Sequence, residues 1–108
     1  MDTHHLLGPS EEGSVVLDIG GDVGAAIVHA PAALAGSEIE IRRGGAPWDG
    51  THVAVRARHI PDGELYAALF PALGYGSYEV RLRGDAKGPV ASLRVEGGRV
   101  TETRLAWP

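Results

Sequence analysis

From Ser14 onward, apolar and polar residues alternate in short runs, each broken by glycine or proline. That is the two-residue period of half-buried strands, and no stretch carries the 3.6-residue period of a helix. Val15, Leu17 and Ile19 alternate with Val16 and Asp18, and after Gly20, Gly21 and Asp22 the alternation resumes in Val23, Ala25 and Ile27. The pattern predicts a hairpin with a three-residue loop, pairing Ile19 with Val23, Leu17 with Ala25 and Val15 with Ile27. A two-residue loop would set Ile19 against Asp22 and spoil the apolar face. Pro31 ends the second strand, and the alanines of residues 32–36 allow at most one helical turn.

Residues 38–42 form the next alternating strand, and after a Gly-Gly-Ala-Pro-Trp-Asp-Gly loop residues 52–58 form another, with Val53, Val55 and Ala57 on one face. If these two strands pair, Glu38 and Glu40 meet Arg56 and Arg58 across the ladder, worth a few tenths of a kcal/mol each (~0.2–1). Pro61, Asp62 and Gly63 mark a turn. Residues 65–70 are apolar on both faces, as in a central strand, and Pro71 is expected to stop it. Residues 78–83 alternate strictly, and residues 90–95 turn at Gly97 and Gly98 into a last strand, with Val95 opposite Val100. Leu105 and Trp107 fall out of phase with Val100, which predicts a bulge there. Seven to eight short strands spaced by turn residues predict an all-β, two-sheet antiparallel sandwich. Residues 14–108 make the single domain, and polar residues 1–13 are expected to form a flexible arm.

Composition narrows the classes of function. The chain has 108 residues, enough for one core and no second module. It contains no cysteine, which removes thiol catalysis, thiolate metal sites and disulfides. A formal charge of −4 argues against general nucleic-acid binding, which needs a basic face. No basic leader with an apolar run and no span of membrane length is evident, so cytoplasmic residence without a membrane partner is the expectation. Free use of Ala, Gly, Val and Arg, with one lysine and neither Asn nor Gln, has the bias of a high-GC bacterial genome.

Phe70, Pro71, Ala72, Leu73, Gly74, Tyr75, Gly76, Ser77, Tyr78, Glu79 and Val80 carry a specific pattern. The run resembles the strand-turn-strand signature of prealbumin-like sandwiches, including carboxypeptidase regulatory-like and collagen-adhesin B-type domains. The resemblance implies that Leu73 plugs the end of the sandwich and that Gly76 takes a backbone shape closed to other residues. It also implies that Tyr78 buries its ring while its hydroxyl bonds nearby backbone. The chain as a whole also resembles small actinobacterial proteins, some of them labelled phospholipases, but it contains no Gly-x-Ser-x-Gly elbow. Hydroxyisourate hydrolases resemble it in length, yet their C-terminal Tyr-Arg-Gly-Ser is replaced here by Leu105, Ala106, Trp107 and Pro108. The only lysine, Lys87, stands in a loop beside Asp85, so no isopeptide crosslink of the adhesin kind is expected.

Several residues invite a functional reading. His29, His52 and His59 are the candidate metal ligands, although no pair has a recognised spacing within a strand; His4 and His5 lie in the arm. A triad of Ser14, Asp18 and His29 fails on alternation, because Asp18 points away from the face that His29 follows. Arg56, Arg58, Arg81 and Arg83 project outward and predict a basic strip for an anionic partner if their strands adjoin, or a soluble face if they do not. Trp48 and Tyr75, aromatic in loops, read as partner contacts or as packing over the core's end. An enzyme would need the His29, His52 and Trp48 regions to converge in a cleft. With no catalytic constellation and no cofactor motif, the first expectation is a non-catalytic interaction module binding a protein partner or a second copy. The alternative is a protein binding a small ligand, copper or zinc through histidines and loop aromatics.

Overall fold

A computed structural model describes residues 19–106 of the chain. Eight strands account for most of them: β1 (Val23–His29), β2 (Glu38–Arg43), β3 (His52–Ala54), β4 (Arg56–Ile60), β5 (Gly63–Gly74), β6 (Gly76–Leu82), β7 (Val90–Val95) and β8 (Val100–Arg104). They form two four-stranded sheets, in the orders β4-β5-β1-β8 and β3-β2-β6-β7. All pairings are antiparallel except that of β1 with β8, which is parallel. The expected all-β sandwich is therefore present, with one 3₁₀ turn at Ala32–Leu34 as its only helical element among the described residues.

The core lies between the sheets because alternation turns one side of each strand inward. Ala26, Val28, Ala68 and Phe70 of the first sheet meet Ile39, Ile41, Tyr78, Val80, Leu93 and Val95 of the second, with Leu34 and Leu105 joining from the connections. Each large apolar side chain buried this way contributes roughly 1.5–3 kcal/mol. Leu73 packs against the same cluster. The Tyr78 hydroxyl donates to the Gly74 carbonyl at 2.6 Å, as the resemblance implied. Gly76 between them has φ 140°, a conformation that strains any residue with a β-carbon.

Six expectations are corrected. Pro71 does not end its strand: β5 runs on to Gly74, and the register against β1 slips between Gly24 and Ala26, opposite Phe70 and Leu73. A proline fits at such a bulge because no ladder hydrogen bond is asked of it there. Residues 52–58 are not one strand, since the chain crosses between sheets at buried Val55, which leaves β3 in one sheet and β4 in the other. Glu38 and Glu40 accordingly lie across from β6 rather than from Arg56 and Arg58. The turn at Gly97 and Gly98 likewise changes sheets instead of closing a hairpin, so Val95 and Val100 do not pair. Val100 then faces outward and Leu105 inward by simple alternation, with no bulge; Trp107 lies outside the described residues.

The sixth correction concerns the first hairpin. Gly20 bridges Val23 around a two-residue turn, not a three-residue one. Beyond that bridge β1 has no edge to offer, because β5 holds one side and β8 the other. Most of the predicted partner strand, residues 14–18, lies outside the described residues, as does the arm of residues 1–13. The corner where β1, β7 and β8 meet is close-packed: a β-carbon on Gly24 would run into the Glu96 carbonyl, and one on Gly97 into that of Gly21.

Candidate functional site

Each sheet has an outward face, and the two differ. On the second sheet, register places β2 carboxylates and guanidinium groups opposite their complements on β6. Glu40 meets Arg81 at 2.5 Å, Arg42 meets Glu79 at 2.7 Å, and Arg83 donates to Glu38 at 3.0 Å. His52 joins the last pair, 3.2 Å from Glu38, while its Nδ1 lies 2.7 Å from the Gly50 carbonyl. The Trp48 ring lies over this ladder, its centroid 4.4 Å from the Arg42 guanidinium and 4.1 Å from that of Arg81. Such stacking adds about 0.5–1 kcal/mol where the cation is part-exposed. Trp48 is thus committed within the domain, neither a free contact nor a cover over the core.

The outer face of the first sheet is apolar at its centre. Ile27 and Leu69 stand opposite each other on β1 and β5, Ala67 and Leu65 continue the β5 side, and Val100 joins from β8. Ile27, Ala67 and Leu69 keep only 4, 2 and 4% of their surface exposed, although no strand of the second sheet packs on this side. Around the apolar centre stand cations. Register sets Arg56, Ala67, His29 and Arg104 in one row across β4, β5, β1 and β8. Arg58 comes two residues after Arg56 on the same side of β4, opposite Leu65. It is 6% exposed, and burial, with the charge of neighbouring Arg56, pushes its guanidinium below the usual arginine value. An arginine stays charged through such a shift. Among the described residues of this face Glu102 is the carboxylate, its Oε1 2.6 Å from His29 Nε2.

Ile27, His29, Arg58, Ile60, Leu65 and Glu102 are among the residues lining a hollow of about 40 Å³ on this face. That is room for a few waters, against the several hundred Å³ of a metabolite pocket. The face therefore presents a small hollow with a basic rim over an apolar centre that is itself nearly inaccessible, room for a polypeptide side chain rather than for an engulfed small molecule.

The predicted site residues are dispersed. Arg56 and Arg58 lie on the first sheet, Arg81 and Arg83 on the second, so the expected four-arginine strip does not form. Arg81 and Arg83 are held by Glu40 and Glu38. The three candidate metal-ligating histidines go to three places, each beside its own glutamate: His29 with Glu102, His52 with Glu38, and His59 with Glu64 at 3.3 Å. No group of three or more donors gathers among the described residues. Tyr75 is 56% exposed at the bend between β5 and β6. Ser14 and Asp18 lie outside the described residues, and His29 shares the outward face with Ile27 rather than an inward one.

Sequence reasoning missed Ile27, Leu65, Leu69, Val100, Glu102 and Arg104 as one surface. The available signal was the two-sided apolarity of residues 65–70, which implies cover on both faces. No helix among the described residues is long and apolar enough to cross a membrane. Comparison of the chain with protein-family models, with curated proteins and with solved structures gives no match.

Proposed function

We propose that the domain is a non-catalytic interaction module that takes a polypeptide segment on the outer face of its first sheet. The observation that carries this reading is the hollow lined by Ile27, Ile60 and Leu65 and bordered by the exposed Arg56 and Arg104. An outward sheet face is ordinarily polar and wet, and apolar surface framed by charge is the mark of an interface. The partner chemistry that fits is a segment combining apolar side chains with carboxylates. A ligand of metabolite size finds too little volume in this hollow, and the described histidines His29, His52 and His59 stand apart, so the small-ligand and metal readings are less well supported. The absence of cysteine agrees with residence in the reducing cytoplasm of a bacterium. The Tyr78–Gly74 corner supports kinship with prealbumin-like sandwiches.

The test is a titration of isotope-labelled protein with short peptides, one alternating Leu or Val with Glu and one alternating them with Lys. The acidic peptide is expected to shift amide signals of Ile27, Leu65 and Leu69 and to leave the Trp48 indole signal unmoved, with affinity falling as salt rises. Equal response to both peptides, or shifts centred on Trp48, would overturn the assignment of the face.

A further inference from the structure

We infer that the outer edge of β7 is a self-association edge, on which a second copy of this chain adds its own β7 antiparallel and joins the two second sheets into one continuous layer. The inference goes beyond the docking face proposed above and does not rest on it, because β7 belongs to the other sheet.

The sheet orders leave β4 and β8 at the edges of the first sheet and β3 and β7 at those of the second. An edge strand offers its unpaired N–H and C=O groups to any extended chain unless it is short, charged or interrupted. β3 has three residues, β4 carries Arg56, Arg58 and His59 in five, and β8 carries Glu102 and Arg104 in five. β7 has six residues with Arg94 as its one charge, neither glycine nor proline, and an unbroken register against β6. On it Val90 stands 47% exposed, a large apolar side chain left in water. The direction of its main chain follows from its neighbour. The Gly44 N–H donates to the Ser77 carbonyl, so Ser77, Glu79 and Arg81 turn their main-chain groups to β2, and Tyr78 and Val80 turn theirs to Leu93 and Ala91. Val90, Ser92 and Arg94 are left with N–H and C=O pointing off the sheet. The Thr101 hydroxyl donates to the Arg94 carbonyl at 2.9 Å, and that oxygen keeps a second lone pair.

The occupant that fits is β7 itself, because this edge is self-complementary about Ser92. A two-fold axis there sets Ser92 opposite Ser92 of the second copy and Val90 opposite Arg94 of the second copy, so that the outward N–H and C=O groups of these residues find one another. The aliphatic stem of each Arg94 then lies over the exposed Val90 across from it, and no charge on β7 faces its own kind. The flanks agree. The loop before β7 carries Asp85 and Lys87, and the turn after it carries Glu96 and Arg99. Those last two stand 3.6 Å apart and largely exposed, so both remain open to further partners. Antiparallel addition brings the loop of one copy beside the turn of the other, an anion and a cation against a cation and an anion, at both ends of the paired strands. A foreign strand would have to supply the same order of apolar, small and basic positions, whereas a second copy supplies it by symmetry.

The absence of cysteine makes the test direct, because Ser92→Cys takes a single spin label. Light scattering of the unlabelled full chain at rising concentration should show passage from monomer to dimer. At concentrations where the dimer forms, the Ser92 label should show dipolar broadening, since residues paired in this way stand ~5.5 Å apart at their α-carbons. A label at Glu64→Cys, on the first sheet, should stay sharp. Val90→Glu, facing Arg94 of the second copy, should tighten the dimer about fivefold, and Val90→Lys should weaken it by about as much, with the circular-dichroism spectrum unchanged in both. A chain that stays monomeric at about 1 mM overturns the inference. So does a dimer whose Ser92 labels stay sharp, or one on which the two Val90 substitutions act alike, because either puts the contact elsewhere. A dimer through β7 with no response to the acidic peptide would sink the docking face alone; a monomer that binds that peptide would sink the self-association edge alone.

Discussion

The outer faces of the two sheets are built from strands of the same alternating kind, yet they reach opposite solutions. Across β2 and β6 every outward charge meets its complement, as in Glu40 with Arg81 and Arg42 with Glu79, and Trp48 covers the pairs. That face is electrostatically closed. Across the centre of β1 and β5 the outward residues are apolar, with His29 at the end of β1, and the arginines and Glu102 stand on the flanking strands β4 and β8. A paired ladder satisfies itself within one sheet, whereas an apolar strip with a basic border is satisfied only by something laid upon it. The difference sets a self-paired charged face against one whose apolar centre, Ile27, Ala67 and Leu69, is nearly inaccessible.

The largest effect is expected where both faces share a corner. Gly97→Ala forces a β-carbon against the Gly21 backbone and should cost about 3 kcal/mol, at the upper end of overpacking. Measured by urea unfolding, a loss under 1 kcal/mol would show that the corner yields easily. Next, Leu69→Ala on the outer face should cost about 2–3 kcal/mol, the cost of a core leucine, although it points away from the second sheet. Val90→Ala, at a site 47% exposed, should change stability by about 0.5 kcal/mol or less. Equal small effects for the two would mean that the first sheet's outer face is open to water.

Within the ladder the prediction is graded by burial. Glu40→Ala leaves Arg81 part-buried and unpaired and should cost about 2 kcal/mol, discounted from the ~3–5 kcal/mol for a fully buried pair. Glu38→Ala, where both partners are nearly half-exposed, should cost about 0.5 kcal/mol or less. The smallest effect belongs to the loop that carries Trp48. The Asp49 carboxylate accepts the Thr51 N–H at 3.0 Å, and this bond holds its pKa below the ordinary 3.8. A lowered folded-state value means that its stabilisation is fully present above that ordinary value and is lost as pH falls through the lowered one. Asp49→Asn should therefore slightly flatten the acid limb of the Tm-versus-pH profile, lowering Tm a little at neutral pH and converging with the parent protein at the acid end.

Much of the fold was legible because strand period and turn residues are local properties. Residues 38–42, 78–83 and 90–95 were placed to within two residues, and the Tyr78 corner followed from its own short motif. The ladder partners were not legible. Glu40 has acceptable cations in both Arg58 and Arg81, and alternation cannot choose between strands that look alike. The crossing at Val55 decides, because it removes β4 to the other sheet. The outer apolar face was missed for the same reason: Ile27 and Val28 are equally apolar, and only the sheet order assigns one inward and the other outward.

By itself, then, the chain's pattern of residues determined that this protein is a strand-built domain without thiol chemistry, and where most of its strands and turns fall. Those outcomes depend on backbone preference and on hydrophobic period, which act over a few residues. Tertiary structure alone decided which face of β1 meets the core, that β8 runs parallel to it, and that the arginines divide into a paired ladder and a basic rim. Such choices rest on contacts between residues far apart in the chain, where many pairings have similar local merit and the closed packing of two sheets selects among them.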